Sequence, residues 1–214
     1  MTQRTGPVTR DTTAVALGLA QIRVGLASTY IGQINPILPT TNNLGALANT
    51  KYTGSVDFYK LESGFPMMED AVFPLRETAM LECAFKEITP YNMAIARGLD
   101  PTSYSENHYA RLAIGTMAAP VYLRMEAVYT FPDGTNKLYI IFPRCQIVAQ
   151  QELDFQAEEP AAVPISIEAK RADSEVSGGH VIWDGMPLGC FIWDDGSTLT
   201  STTTTSTTTT TTAP

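Results

Sequence analysis

Few residues of this chain have both the type and the spacing for chemistry. The two histidines, His108 and His180, are far apart and form neither an HExxH nor an HxH pattern. The bland reading, a loop histidine beside Tyr109 and another after Gly178-Gly179, competes with a metal site and fits better. Paired carboxylates occur at Glu69-Asp70 and Glu158-Glu159. Such pairs do acid/base work only where the surroundings split their pKa values. Neighbours on a strand point to opposite faces, so these read as a solvated surface or a negatively charged lining. Asp194-Asp195-Gly196 lacks the further oxygen ligands of a calcium loop and reads as a turn. Trp183 and Trp193 flank Pro187-Leu188-Gly189, where one or both would pack under a turn rather than offer a sugar platform. No nucleophile elbow, Walker A loop or dinucleotide fingerprint occurs. The expectation is a protein that is not an enzyme, with no cofactor and no metal.

The composition narrows the class further. The chain has 214 residues, a net charge of −8, 44% apolar residues and only 17% charged ones. That is enough apolar content for a sizeable core, in about one domain. The low charge leaves room for a surface hidden against other copies of the chain. The acidic balance, without a basic cluster beyond Lys170-Arg171, argues against nucleic-acid binding, which needs a positive footprint. No apolar run approaches membrane-spanning length. The start, MTQRTGPVTRDTT, lacks the apolar core of a secretory signal, so residence in a cytoplasm is expected unless a leader was removed. Cys83, Cys145 and Cys190 are an odd, widely spaced set. They suit a reducing compartment and buried apolar positions better than a disulfide framework.

The elements that must position these residues read as mainly β-structure. Thr78–Lys86 places Ala79, Leu81, Cys83 and Phe85 on one face. Arg124–Phe131 and Lys137–Phe142 flank a Pro132-Asp133-Gly134 turn and predict a hairpin. Pro143 then marks an edge or a bulge. Glu152–Gln156, Val163–Ala169 and Leu19–Val24 read as further strands. One helix is punctuated by Thr89 as N-cap, Pro90 at its first position and Gly98 just past its end. Ile88, Tyr91 and Ile95 would form its packing stripe, and Arg97 would complement its C-terminus.

Two stretches stand apart. From Pro36 to Asp70 the chain is rich in turn formers and aromatics, long for a structureless loop. It fits a protruding hairpin or arm that contacts a partner, the alternative being that Val56–Leu61 is one more core strand. From Thr200 to Thr212 every residue is Ser or Thr. Thr favours extended backbone, so this tail reads as a strand or arm on this subunit or a neighbour, or else as an O-glycosylated stalk. The resulting division is an N-terminal arm over 1–13, a β domain over 14–196 with a protruding loop at about 36–70, and a Thr-rich tail over 197–214.

Several segments, in this order, resemble the major tail (tail tube) proteins of tailed bacteriophages. They are Leu17-Gly18-Leu19-Ala20-Gln21-Ile22-Arg23-Val24-Gly25 and Gly45-Ala46-Leu47-Ala48-Asn49-Thr50-Lys51-Tyr52-Thr53-Gly54. Lys60–Pro66, the strand-to-helix unit Glu82–Gly98, Tyr129–Asn136 and Ile167–Asp173 follow. The Thr-rich tail departs from that family's pattern and concerns the outer surface. The resemblance implies a β-sandwich or barrel with one short packed helix, an extended loop and terminal arms. It implies hexameric rings stacked into a tube, a passive conduit for genome delivery, located in the virion tail after assembly in the host cytoplasm. The partners implied are other copies of the chain, with tape-measure and tail-terminator or baseplate proteins. DNA would only pass through, and no membrane is involved.

On this reading Tyr52, Phe58, Tyr59 and Phe65 are expected at subunit contacts, within Ala48–Phe65, together with the two termini. Glu152, Asp154, Glu158 and Glu159 are expected on the channel wall, where like charge keeps the phosphate backbone from sticking. Two other readings stand beside it. One is the inner tube of a contractile tail or related injection machine. The other is a surface-exposed β-sandwich binding module on an O-glycosylated Thr stalk.

Overall fold

The computed structural model describes residues 20–63, 68–104, 111–112, 114, 119–132, 134–148, 152–153 and 160–195. The fold is mainly β, as the alternation of apolar residues predicts. Its strands are β1 (Gln21–Leu26), β2 (Leu47–Ser63), β3 (Met68–Phe85), β4 (Leu123–Thr130), β5 (Lys137–Ile147), β6 (Val163–Ala169) and β7 (Cys190–Asp194). They form one antiparallel sheet in the order β1-β4-β5-β6-β3-β2, with β7 also paired to β5. Two short helices, α1 (Ala27–Tyr30) and α2 (Pro90–Ala96), accompany it.

The β4–β5 hairpin lies where the sequence places it. Its outer edge is shared: β7 pairs with Lys137–Ile141 of β5, and β6 pairs with Cys145–Ile147. Pro143 sits in the gap between the two. On the other side, Leu123 faces Cys145 and Met125 faces Phe142, so β5 carries one extra residue there. A residue without an N–H is tolerated where the ladder is interrupted in this way. Gly189, just before β7, has φ 132°, and a Cβ there would lie 2.0 Å from the Ile141 carbonyl oxygen. The close approach of β7 to β5 therefore depends on that glycine.

Helix α2 is capped as the sequence predicts. The Asn92 N–H donates to Thr89 Oγ1 at 3.1 Å, Pro90 opens the helix, and Gly98 follows it at φ 65°. The expected packing stripe is different in detail. Ile95 is fully buried and Tyr91 packs on the core, but Ile88 is exposed because it precedes the first helical turn. Ala94 and Ala96 complete the buried side, while the Asn92 amide donates to the carbonyls of Leu44 and Glu87 at 2.9 and 2.7 Å. The expected strand over Glu152–Gln156 is not seen at its start. Glu152 and Leu153 are exposed and belong to no strand, and 154–156 lie outside the described residues.

Both faces of β4 are covered. On one face Met125 and Ala127 join Ile22, Leu81, Phe85 and Ile95 in the larger core. On the other, Val128 packs with Tyr139, Ile141, Ala172 and Trp183. Trp183 is fully buried under the turn that the sequence suggests for it, and its indole N–H donates to the Ile31 carbonyl at 2.6 Å. Beside this smaller core lies a fully buried ion pair, Arg124–Glu126, at 2.8 Å. Arg124 donates to the carbonyls of Tyr30 and Asn35 at 2.8 Å each and also to that of Gln33. Glu126 accepts the N–H groups of Ile37 and Leu38 at 3.0 Å. Burial pushes the Arg124 guanidinium below its ordinary value, and Glu126 holds it up. It stays charged, as arginine does in proteins. The pair thereby fastens the 30–38 segment to the sheet.

Of the cysteines, Cys83 and Cys145 are buried and Cys190 is half-buried, all three as free thiols. Burial pushes the Cys83 thiol up to about 12 and raises Cys145 as well. The folded chain then keeps thiol protons that the unfolded chain releases. Stability is complete below the ordinary thiol pKa of about 8.5 and declines as pH climbs toward the folded values. Denaturation midpoints measured from pH 8 upward are expected to fall steadily above about pH 9. A separate measurement addresses the buried pair. Glu126→Ala is expected to cost about 3–5 kcal/mol in urea unfolding, because it strands a buried charge. The double variant Arg124→Met with Glu126→Leu is expected to remain destabilised, since backbone groups of the 30–38 segment would lose their partners.

Candidate functional site

Of the stretch read from sequence as a protruding hairpin, Pro36–Asp70, only the part from Leu47 onward is one, and its return strand runs on to Phe85; the part before it packs on the core, with Leu38 and Leu44 buried. Strands β2 and β3 pair along their whole length, from Leu47 opposite Phe85 to Ser63 opposite Met68. At about 3.3–3.4 Å per residue, β2 alone runs over 50 Å. Only the base belongs to the core: Met80–Phe85 pairs with β6, and Leu81, Cys83 and Phe85 are buried. Beyond Gly54 and Ala79 the two strands pair, among the described residues, only with each other, as a free ribbon. Val56–Leu61 is therefore a strand but not a core strand, and its side chains are exposed.

The ribbon has two apolar faces. On β2 the alternation is unbroken from Asn49 to Ser63, because the irregularities beyond it fall on β3, at Leu75 and Asp70. One face carries Val56 and Phe58, with Pro74 and Val72 opposite Phe58 and Lys60. The other carries Tyr59 and Leu61, with Phe73 and Ala71 opposite them. Phe58 is 56% exposed, Tyr59 53% and Leu75 69%. A soluble surface scatters single apolar residues, but a continuous exposed set marks an interaction surface.

Local interactions join the ribbon's two strands without covering it. Ser55 and Thr78 share a hydroxyl hydrogen bond of 2.8 Å, and Lys60 and Glu69 form an ion pair at 2.7 Å. Ser63 donates to Asp70 near the tip. Cross-strand pairs of this kind contribute about 0.2–1 kcal/mol each. A two-stranded ribbon is marginal in water on such terms alone.

A second exposed apolar feature lies beside the ribbon's base. Tyr52 meets Phe191 edge-on at 5.1 Å, and Phe191 stacks with Trp193 at 6.1 Å. Trp193 is 69% exposed, so of the two tryptophans only Trp183 packs under a turn. Tyr52, Ala79, Phe142, Leu188 and Phe191 line a small cleft of about 170 Å³ at this place. Burial raises the Tyr52 phenol above its ordinary value and Glu77 adds to the effect, so Tyr52 serves as a neutral aromatic.

The residues expected at subunit contacts are brought together only in part. Tyr52, Phe58 and Tyr59 lie on the ribbon, Tyr52 at its base and the other two toward its tip. Phe65 lies outside the described residues. Of the acidic residues expected on a channel wall, Glu152 is exposed, while Asp154, Glu158 and Glu159 lie outside the described residues. His180 is exposed, and its Nδ1 accepts the Ile182 N–H at 3.3 Å, capping a single turn over Val181–Trp183. His108 and the Thr-rich tail lie outside the described residues. Among the described residues, no group of three or more His, Cys, Asp and Glu side chains is arranged to hold a metal ion, and no helix is long and apolar enough to cross a membrane.

Sequence reading missed the ribbon's second strand, from Met68 to Glu77. Its signal was the run Val72-Phe73-Pro74-Leu75, masked by a proline that the bulge at Leu75 accommodates. It also missed the aromatic pair on β7, although Phe191 and Trp193 stand at the two-residue spacing that puts them on one face.

No protein-family model matches the chain, and no curated protein matches it. The geometry therefore bears the functional reading. Because the ribbon's side chains touch little within their own subunit, Phe58→Ser with Phe73→Ser is expected to change monomer stability by no more than about 0.5 kcal/mol per substitution. The same variant should bind less of an apolar dye such as ANS. Loss of several kcal/mol would mean that these side chains belong to the core.

Proposed function

We propose that this chain is a structural protein that self-assembles, and that its assembly is the tail tube of a tailed bacteriophage. In that role hexameric rings stack into a hollow conduit, and the genome passes through it during delivery. The reading is of a passive, non-enzymatic device in the virion. The observation that carries it is the ribbon, a long hairpin, apolar on both faces, extending beyond a core that is already complete without it. Burial of such a surface drives association, at about 25 cal/mol per Å² of apolar area removed from water. A heterologous contact that closes gives a ring, and repetition along an axis gives a tube.

Three further features support the reading. The 17% charged content suits a chain that hides much of its outside. The net charge of −8 suits a channel from which polyanionic DNA must detach. Among the described residues the outward edge of β2 has no partner strand, which offers a strand edge for pairing between subunits.

The test is negative-stain electron microscopy with light scattering on the purified chain and on the variant Phe58→Asp with Tyr59→Asp, which charges both ribbon faces. Hollow tubes or six-fold rings are expected for the native sequence. The variant should stay folded and stop at single rings or monomers. A native chain that remains monomeric at high concentration would contradict the reading. A variant that forms tubes as readily as the native chain would remove the ribbon from the contact.

A further inference from the structure

We infer that the ribbon of one subunit docks on the aromatic platform of a second copy, the platform being Tyr52, Phe191 and Trp193. The inference rests on the self-assembly reading and supplies the receiving surface that the reading leaves open.

Among the described residues the platform and the ribbon are two exposed apolar features that gather several aromatic side chains. The platform is a T-shaped and a stacked contact in series, ending on a Trp193 ring that is 69% exposed. Strand β7, which carries two of its three rings, pairs among the described residues only with β5. A ribbon cannot reach its own platform. Tyr52 and Tyr59 stand seven residues apart on one unbroken strand, roughly 23 Å at the usual rise, and the β2 alternation leaves no hinge between them. A ribbon on this platform therefore belongs to another molecule.

The chemistry of the two surfaces selects one face of the ribbon. Tyr59 and Phe73 stand opposite each other, and Arg76 lies on the same face, opposite Asp57. Among the described residues Arg76 enters none of the ion pairs. The platform has a carboxylate beside it: Glu77 lies against the cleft next to Tyr52. An arginine with two aromatic rings facing three further rings and a carboxylate matches the residue types that dominate interface energetics. Ribbon on platform is a contact between unlike surfaces. It leaves a free ribbon at one end of every assembly and a free platform at the other, which is what growth along an axis requires. Ribbon on ribbon would be self-complementary and would stop at a pair.

That difference supplies the test. Three preparations of the full chain are compared by sedimentation velocity: a ribbon variant, Tyr59→Asp with Phe73→Asp; a platform variant, Trp193→Asp; and their equal mixture. Circular dichroism melting checks that each is folded, which the exposure of all three side chains favours. Each variant alone is expected to stop at a smaller particle than the native chain. The mixture is expected to form pairs of that particle and nothing larger, because one variant keeps its platform and the other its ribbon. The milder Trp193→Ala is expected to weaken association by at least about 30-fold, the loss of one interface hot spot. A platform variant that grows like the native chain would overturn the inference while leaving self-assembly intact. A platform variant that dimerises through its ribbon would overturn it in favour of self-complementary pairing. A native chain that never associates would instead overturn the reading beneath it.

Discussion

The buried Arg124–Glu126 pair is the constraint on which the remaining structure leans. A charged pair taken out of water is costly unless every remaining donor and acceptor finds a partner. Here those partners are backbone groups of a single segment, from Tyr30 to Leu38. The sheet can bury the pair only if that segment lies across it, and the segment is fixed only if the pair is there. This mutual dependence covers the second face of β4 and places the Ile31 carbonyl where the Trp183 indole reaches it. It also sets Leu38 and Leu44 in buried positions, and the Leu44 N–H donates to the Ile22 carbonyl at 2.9 Å along the outer side of β1.

Because both faces of the central strands are closed in this way, the core needs nothing from the ribbon. Its apolar side chains therefore ask for a separate explanation. Exposed aromatics on a long, unpaired β-edge are a liability in a free protein, and natural proteins blunt such edges with charge, proline or bulges. Strand β3 has two irregularities and Pro74 within the ribbon, and Lys60 pairs with Glu69 near its tip. These features restrain indiscriminate pairing. They leave Phe58, Tyr59, Phe73 and Leu75 bare. Retaining such residues beside those restraints is understandable if the ribbon has a cognate surface, and a second copy of the chain is the simplest source of one.

Much of this architecture was legible in the sequence, for identifiable reasons. The hairpin over β4 and β5 could be read because turn residues interrupt two apolar runs, and α2 because Thr89, Pro90 and Gly98 each satisfy a distinct backbone need. The ribbon could be read halfway, since Thr53–Lys60 alternates while the return strand carries a proline. The Arg124–Glu126 pair could not be read. Two charges at alternate positions of a strand ordinarily mark a solvent face, and only the placement of a segment nearly ninety residues upstream turns that face inward. Ile88 was misjudged for a local reason, since it lies one residue before the cap and so outside the helical period. The aromatic platform combines β2 with β7 across most of the chain, a juxtaposition that spacing alone does not encode.

The central claim is that the ribbon is a contact surface whose partner is another copy of this chain. Hydrogen–deuterium exchange read by mass spectrometry tests it directly, by comparing peptides covering Val56–Ser63 and Met68–Leu75 in dilute and concentrated samples. Fast exchange in the dilute chain and marked protection in the concentrated one, with the β4 and β5 peptides unchanged, is the expected result. Equal exchange of the ribbon in both samples, while large particles form, would contradict the account.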